Sequence, residues 1–456
     1  MNYKMISYIL GWILIFEGMF LAVPGITALF FGESELWSYL LSISICLLIG
    51  SLLILKKPQK RQLYAREGCV IVSLSWIVLS AFGALPFFLS GEIPNYVDAL
   101  FESVSGFTTT GASILNDVEA ISYASRMWRS FSHWVGGMGV LVFIMAFIPL
   151  SGGQNMHIMK AESPGPSVSK LVPRVKTTAM LLYSISLVLP LIEFILLLCG
   201  GMTPYEAINT AFATGGTGGF GFYNSSMGSF SPYIQIVVTV FMLLFSVNFN
   251  CYFLLMTRKI KDAFNLELRT FLIMYVSATA LITLNIAGSF KSAGEALRNS
   301  AFTVASIMST TGFSVVDFNQ WPELSRTLLV ILMFIGACAG STCGGIKISR
   351  VIILFKGMAK ELHTMIQPHQ VKKIKMDSHT IDHETVRSVN VFMVAYLMIF
   401  IISLVIISFD NHDLITSFTA VATTISNVGP GLEMVGPASN FSFFSDPAKI
   451  VLIFDM

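Results

Sequence analysis

The 456 residues are 54% hydrophobic and only 12% charged, with a mean hydropathy of +0.73. Soluble domains carry about 25% charged residues, so this composition excludes a water-facing globular surface and makes the chain a polytopic membrane protein. A net charge of +2 gives no ground for a nucleic-acid partner; where the charges lie matters more than their sum.

Runs of about 20 apolar residues are long enough to cross a hydrocarbon core about 30 Å thick. Such runs fall at 6–30, 36–55, 69–90, 125–150, 178–200, 231–257, 267–288, 323–355, 388–409 and 446–456. The opening MNYKMISYILGWILIFEGMF has one lysine and no small-residue cleavage site, so it reads as a retained first span. Four further segments, 97–113, 205–221, 295–314 and 412–431, are too polar or too brief to cross. Each has an acidic or polar start, one short helical stretch and then a glycine-containing turn. The predicted fold is all-α and polytopic: two N-terminal helices followed by four helix–pore-loop–helix repeats in pseudo-fourfold arrangement. The corresponding divisions are a preface at 1–66 and repeats at 67–160, 161–262, 263–375 and 376–456. The closing run, at about 1.5 Å per residue, crosses only about half of the core, so the last helix is expected to be incomplete.

Lys and Arg cluster at 56–66, 160–176, 258–269 and 347–387, with five, four, four and eight; Lys4 brings the total to 22 of the 28. The other six (Arg126, Arg129, Lys291, Arg298, Arg326 and Lys449) fall on the side of the short segments. The positive-inside rule then places the N-terminus and the basic loops in the cytoplasm, with all four half-helices entering from outside.

Aligned on one glycine each, the short segments read FTTTGAS around Gly111, GTGGFGF around Gly219, MSTTGFS around Gly312 and SNVGPGL around Gly429. The glycines lie 108, 93 and 117 residues apart; Asp98 and Glu206 both stand thirteen before theirs, Phe101 and Phe302 both ten. Non-helical backbone at membrane depth is tolerated only when it is buried in protein or lines a watery cavity. Four such loops about one axis, with glycine permitting unusual dihedrals, can turn carbonyl oxygens inward to replace the hydration shell of a monovalent cation. The half-helix C-termini, partially negative, would point the same way. The filter residues read from this alignment are Thr109, Thr110 and Gly111; Thr217, Gly218 and Gly219; Thr310, Thr311 and Gly312; and Asn427, Val428 and Gly429.

FESVSGFTTTGAS (101–113), HWVGGMGVLVF (133–143), ESPGPSVSKLVPRVKTTA (162–179), ACAGSTCGGIKISR (337–350) and ISNVGPGL (425–432), with the two-helix preface, resemble the pore-forming subunit of the Trk/Ktr/HKT potassium-transport superfamily, most closely its bacterial TrkH branch. The resemblance implies potassium as the ion carried, no organic cofactor in this chain and residence in the bacterial inner membrane. It also implies a homodimer with one pore per subunit and a cytoplasmic TrkA-type nucleotide-binding ring as regulator. A serine at the first filter position goes with sodium preference in the plant relatives; Gly111 here implies potassium. The loops lack the longer TVGYG run of potassium channels, so rubidium is expected to permeate as well. The resemblance further implies that the last helix continues with a basic residue near the gate and a cytoplasmic tail, positions this sequence does not contain.

GACAGSTCGGIK (336–347) lies mid-span in the third repeat, and its glycines among small residues should break the helix. At the matching place the family has an intramembrane gate, which implies that role for Gly336, Gly340, Ser341, Thr342, Gly344, Gly345 and Lys347. GTGGFG (216–221) formally fits a dinucleotide fingerprint but lacks the strand and soluble context that motif needs. The six cysteines are scattered without metal spacing and read as small buried hydrophobes. His363, His369, His379 and His383 sit in a basic loop suited to docking a partner, while His133 and Trp134 read as interfacial or packing residues. Glu17 and Glu193 lie within spans, where carboxylates are costly and often functional. Asp98, Glu102, Glu206 and Glu295, near the loop mouths, could focus cations or simply cap helices. An intramembrane enzyme would need a nucleophile with a base or paired metal ligands, and neither is evident. A sodium- or proton-coupled symporter and a transport-inactive sensor are the other readings.

Overall fold

In a computed structural model, which describes residues 2–55, 58, 65–139, 175–367, 373–377 and 379–456, the described chain is helical apart from a two-residue hairpin, Lys375–Met376 with His379–Thr380. The preface is α1 (Tyr3–Phe20), α2 (Ala22–Phe31) and α3 (Leu36–Ile54). Gly11 and Gly50 face one another so closely that a Cβ on either would come within 2.9 Å or less of the other's carbonyl oxygen. Small residues allow this backbone approach where lipid offers no hydrophobic drive between helices.

Repeat one consists of α4 (Ala65–Gly83), α5 (Leu85–Ser90), the half-helix α6 (Tyr96–Phe107) and α7 (Tyr123–Gly137). Repeat two has α8 (Val175–Cys199), the half-helix α9 (Pro204–Gly216), α10 (Pro232–Ser246) and α11 (Phe249–Met256). Repeat three has α12 (Leu266–Ile286), the half-helix α13 (Ala293–Met308), α14 (Glu323–Ile335) and α15 (Ile348–Ile366). Repeat four has α16 (His383–Ile407), the half-helix α17 (Leu414–Ile425) and α18 (Asp446–Asp455). The half-helices hold 12, 13, 16 and 12 residues. At about 1.5 Å per residue none can cross a bilayer.

The polar starts expected of these segments are caps. Asn95 accepts from Val97 N–H (3.0 Å), Ser292 from Glu295 N–H (3.2 Å) and Asp413 from Thr416 N–H (2.9 Å). Thr203 and Glu206 form a reciprocal capping box. Each satisfies an amide that the first helical turn would otherwise leave open.

Among the described residues five helices are long and apolar enough to cross a membrane, six if one bent pair counts as a span. Ten runs are predicted, and the difference has physical causes. The run 323–355 is broken at 336–347, as its glycines require. The run 231–257, expected to be continuous, turns by 90° between α10 and α11. There Asn248 caps the new helix by accepting from Asn250 N–H (2.9 Å), and Phe249 N–H leaves the helix to donate to Gly340 O (3.0 Å). The far half of 125–150, and most of the basic clusters at 56–66 and 160–176, lie outside the described residues, as does His369.

Candidate functional site

All four half-helices run directly into the glycine loops, and the four loops share one backbone design. Two residues before each glycine the chain takes a left-handed conformation: Thr109 (φ 59°), Thr217 (57°), Thr310 (52°) and Asn427 (55°). Gly111 (78°), Gly219 (71°), Gly312 (83°) and Gly429 (95°) do so again. The residues between them, Thr110, Gly218, Thr311 and Val428, are not left-handed. Each of these turns its N–H back onto its own half-helix, at Ser105 O (2.9 Å), Ala213 O (3.0 Å), Ser306 O (2.9 Å) and Thr423 O (2.8 Å). Their amides are thereby occupied. Alternation of hand along a strand brings successive peptide dipoles to one side.

The loops close on one another in a ring. A Cβ placed on Gly111 would stand 1.9 Å from Gly218 O; one on Gly219, 1.7 Å from Thr311 O. One on Gly312 would stand 2.3 Å from Val428 O, and one on Gly429 would come 2.9 Å from Thr110 O. The contacts run from loop one to two, two to three, three to four and four to one. Eight of the twelve residues read from the alignment meet in these contacts. A cavity of about 150 Å³ opens beside the ring, lined by all four glycines together with Arg129 and Asn224.

The four seams between loops differ. Between loops one and two stands α7. Arg129 Nε donates to Glu102 Oε1 (2.6 Å), with both side chains nearly inaccessible. Its other nitrogens reach Ser113 Oγ (3.2 Å) and Gly221 O (3.4 Å). One turn on, His133 Nε2 accepts from Phe220 N–H (3.3 Å), so Nδ1 carries the proton and donates to Gly106 O (2.8 Å). Between two and three, Met227 N–H donates to Ser314 O (2.9 Å). Between three and four, Arg326 bonds Glu433, whose N–H donates to Asn319 Oδ1 (2.9 Å). Between four and one, Asn427 Nδ2 donates to Thr110 Oγ1 (2.8 Å), and Lys449 pairs with Asp98 at 2.6 Å.

His133 is thus no interfacial residue: it is fully buried and joins the half-helix α6 to the second loop. Of the suspected mouth carboxylates, Glu102 and Asp98 are ion-paired, and Glu206 completes its cap while accepting from Tyr223 Oη (2.5 Å). That hydrogen bond pushes the Tyr223 phenol up to about 12. Glu295 lies in the first turn of α13. Glu17 and Glu193 are wholly enclosed, and none of their oxygens accepts a hydrogen bond among the described residues.

The segment 336–347 lies against the ring. Gly344 N–H donates to Thr310 Oγ1 (2.7 Å), and a Cβ on Gly344 would stand 2.3 Å from Ser426 O. Gly336, Gly340 and Gly345 are left-handed, as is Lys347, whose Nζ donates to Cys343 O. Ser341 Oγ donates to Cys338 O (2.6 Å), while the buried Thr342 hydroxyl has no partner among the described residues. Sequence reasoning missed two groups here: Asn248, at the bend, and Glu267, which accepts two amides of the broken span. The one local signal was an Asn followed three residues on by helix-forming apolar residues.

Residues 38–456 match the family model described as TrkH, cation transport protein. The chain is 34% identical to the Trk system potassium uptake protein TrkH of Escherichia coli K12, over all of this chain and 96% of that protein. It is 33% identical to the protein of the same name from Vibrio parahaemolyticus, with the same coverage. The crystal structure of the potassium transporter TrkH from Vibrio parahaemolyticus superposes with a TM-score of 0.89 at 31% identity, covering all of this chain and 96% of that one. These relatives are uptake proteins, not enzymes. The chain is a multi-pass membrane protein and belongs to the TrkH family of cation transport proteins.

Proposed function

We propose that this chain carries potassium into the bacterial cell across the inner membrane, through the ring formed by its four glycine loops. The closed ring of backbone carbonyls at Thr110, Gly218, Thr311 and Val428 is the observation that carries this reading. Neutral carbonyl oxygens suit a weakly hydrated monovalent ion, and the four half-helix C-termini add partial negative charge. The similar proteins named above are potassium uptake proteins, which supports potassium as the ion. Rubidium, close to potassium in size, passes too. In the same proposal 336–347 is the gate, the five-part division at 1–66, 67–160, 161–262, 263–375 and 376–456 holds, and the N-terminus is cytoplasmic. The chain works as a homodimer under a cytoplasmic TrkA-type nucleotide-binding ring docked on the basic loops.

The test is potassium and sodium uptake into proteoliposomes, for this chain and for Gly111→Ser. Uptake favouring potassium, with the preference lost in the serine variant, supports the ring as a selectivity filter. Equal uptake of both ions by the unaltered chain sinks it. A second expected result concerns His133→Ala. Losing its contacts to α6 and to the second loop frees the Gly106 carbonyl and the Phe220 amide, together worth about 1–3 kcal/mol, so the potassium-to-sodium ratio should fall by roughly tenfold. A ratio unchanged in bi-ionic uptake would show that α7 does not set loop spacing.

A further inference from the structure

We infer that Glu267 is the anchor that holds the segment 336–347 closed; the inference rests on reading that segment as the gate. Glu267 stands in the first turn of α12, 72 residues before Ala339 and 82 before Ser349. Its side chain is buried, and a single carboxylate oxygen accepts Ala339 N–H (2.7 Å) and Ser349 N–H (3.2 Å). Those two amides lie on opposite arms of the break between α14 and α15. One group therefore clasps the loop where it leaves the first helix and where it enters the second.

The position suits a hydrogen-bond acceptor. Glu267 lies just inside the start of α12, where the open amides of the first turn stabilise a carboxylate. Ser349 N–H belongs to the first turn of α15 and so has no acceptor within its own helix. Gly336 and Gly345 are left-handed, and Gly344 is held against Ser426 with no space for a side chain. Three backbone bonds close the base of the loop, Ile346 N–H to Phe334 O, Lys347 N–H to Ile335 O and Ile348 N–H to Ala337 O (each 3.0 Å), and the rest of it depends on its neighbours. Its ties to other neighbouring elements are Cys338 N–H to Ser246 O (3.2 Å), the Cys343 thiol to Phe245 O (3.8 Å) and Ser246 Oγ (3.5 Å), Gly340 O from Phe249 N–H (3.0 Å) and Gly344 N–H to Thr310 Oγ1 (2.7 Å). Among these neighbours Glu267 is the one whose side chain accepts a backbone amide from each arm. If the loop swings aside, both amides leave Glu267 and reach water, so the bonds favour only the closed arrangement. A contact present in one state and absent in the other is what sets a gate's population.

The experiment compares rubidium uptake by proteoliposomes holding the full chain, Glu267→Ala, Glu267→Gln, and a chain lacking Ser341–Cys343 as the control for the gate itself. Alanine should raise uptake roughly tenfold, since it removes two hydrogen bonds that hold only the closed arrangement. Glutamine should stay close to the unaltered chain, because its amide oxygen can still accept both N–H groups. The potassium-to-sodium ratio should not move, which separates loosening of the gate from general damage. Alkylation of Cys343, buried in the closed loop, should quicken in parallel with uptake. If Glu267→Ala does not insert, Glu267→Asp, one methylene too short to reach both arms, replaces it. Raised uptake in the loop deletion without any rise in the Glu267 variants overturns the anchor and leaves the gate standing. No rise in the deletion overturns the gate reading, and the anchor falls with it.

Discussion

Gly219→Ala abolishes potassium and rubidium uptake, by at least about a hundredfold, while the protein still inserts: this is the largest effect expected of any single methyl group in the chain. Gly219 has φ +71°, and a Cβ there would stand 1.7 Å from Thr311 O and 2.7 Å from its carbonyl carbon. Thr311 cannot retreat, because its N–H is bound to Ser306 O (2.9 Å) and its hydroxyl to Ser309 Oγ (2.7 Å). The added atom must displace the Thr311 carbonyl, which in the proposed function faces the pathway. Gly91→Ala is the control: its φ is +78°, but nothing lies within 4 Å of a Cβ there. It should cost about 1 kcal/mol of backbone strain and leave uptake intact. Equal uptake by the two variants in proteoliposomes would remove the carbonyl ring from the pathway.

Glu102→Gln should both destabilise the protein and slow uptake. Glu102 is fully enclosed and accepts from Arg129, from Ser113 Oγ (3.0 Å) and from Ile114 N–H (3.0 Å). Neutralising one partner of a buried ion pair leaves an uncompensated charge and costs about 3–5 kcal/mol. The stranded guanidinium also lies 4.0 Å over the ring of Phe220, next to Gly219, and lines the cavity. A bare positive charge there opposes a cation. The double variant Glu102→Gln, Arg129→Gln removes the charge and should recover much of the uptake. Thermal unfolding in detergent and rubidium uptake together check this, and a double variant no better than the single one refutes the electrostatic cause.

The half-helices are legible in the sequence because each pairs a polar cap with a glycine turn, both local signals. The alignment on Gly111, Gly219, Gly312 and Gly429 likewise needs only short strings, and the structure brings those strings together. The 90° turn at Val247–Asn248 is not legible, because 231–257 is apolar and the bend depends on Gly340, some ninety residues on. His133 looks like a packing residue because its two partners come from different repeats. Arg129 counts in the sequence only toward the charge balance of the loops; its pairing with Glu102 joins two elements across 27 positions. Glu267 stands amid an apolar span start, and only the fold shows that both arms of a distant loop end on it. Contacts between elements distant along the chain, within a repeat as well as between repeats, are what the sequence conceals.

The four unlike seams of the ring have a consequence for how such a pathway can change. Where four identical subunits surround an axis, every substitution is introduced four times, and a mild change is compounded into a severe one. Here each quarter has its own codons and its own neighbours: α7 beside one seam, Arg326 and Glu433 at another, Asn427 at a third. A change can be made once and its effect read at a quarter of the dose. Ion preference in this architecture is therefore open to adjustment in small, separately heritable increments.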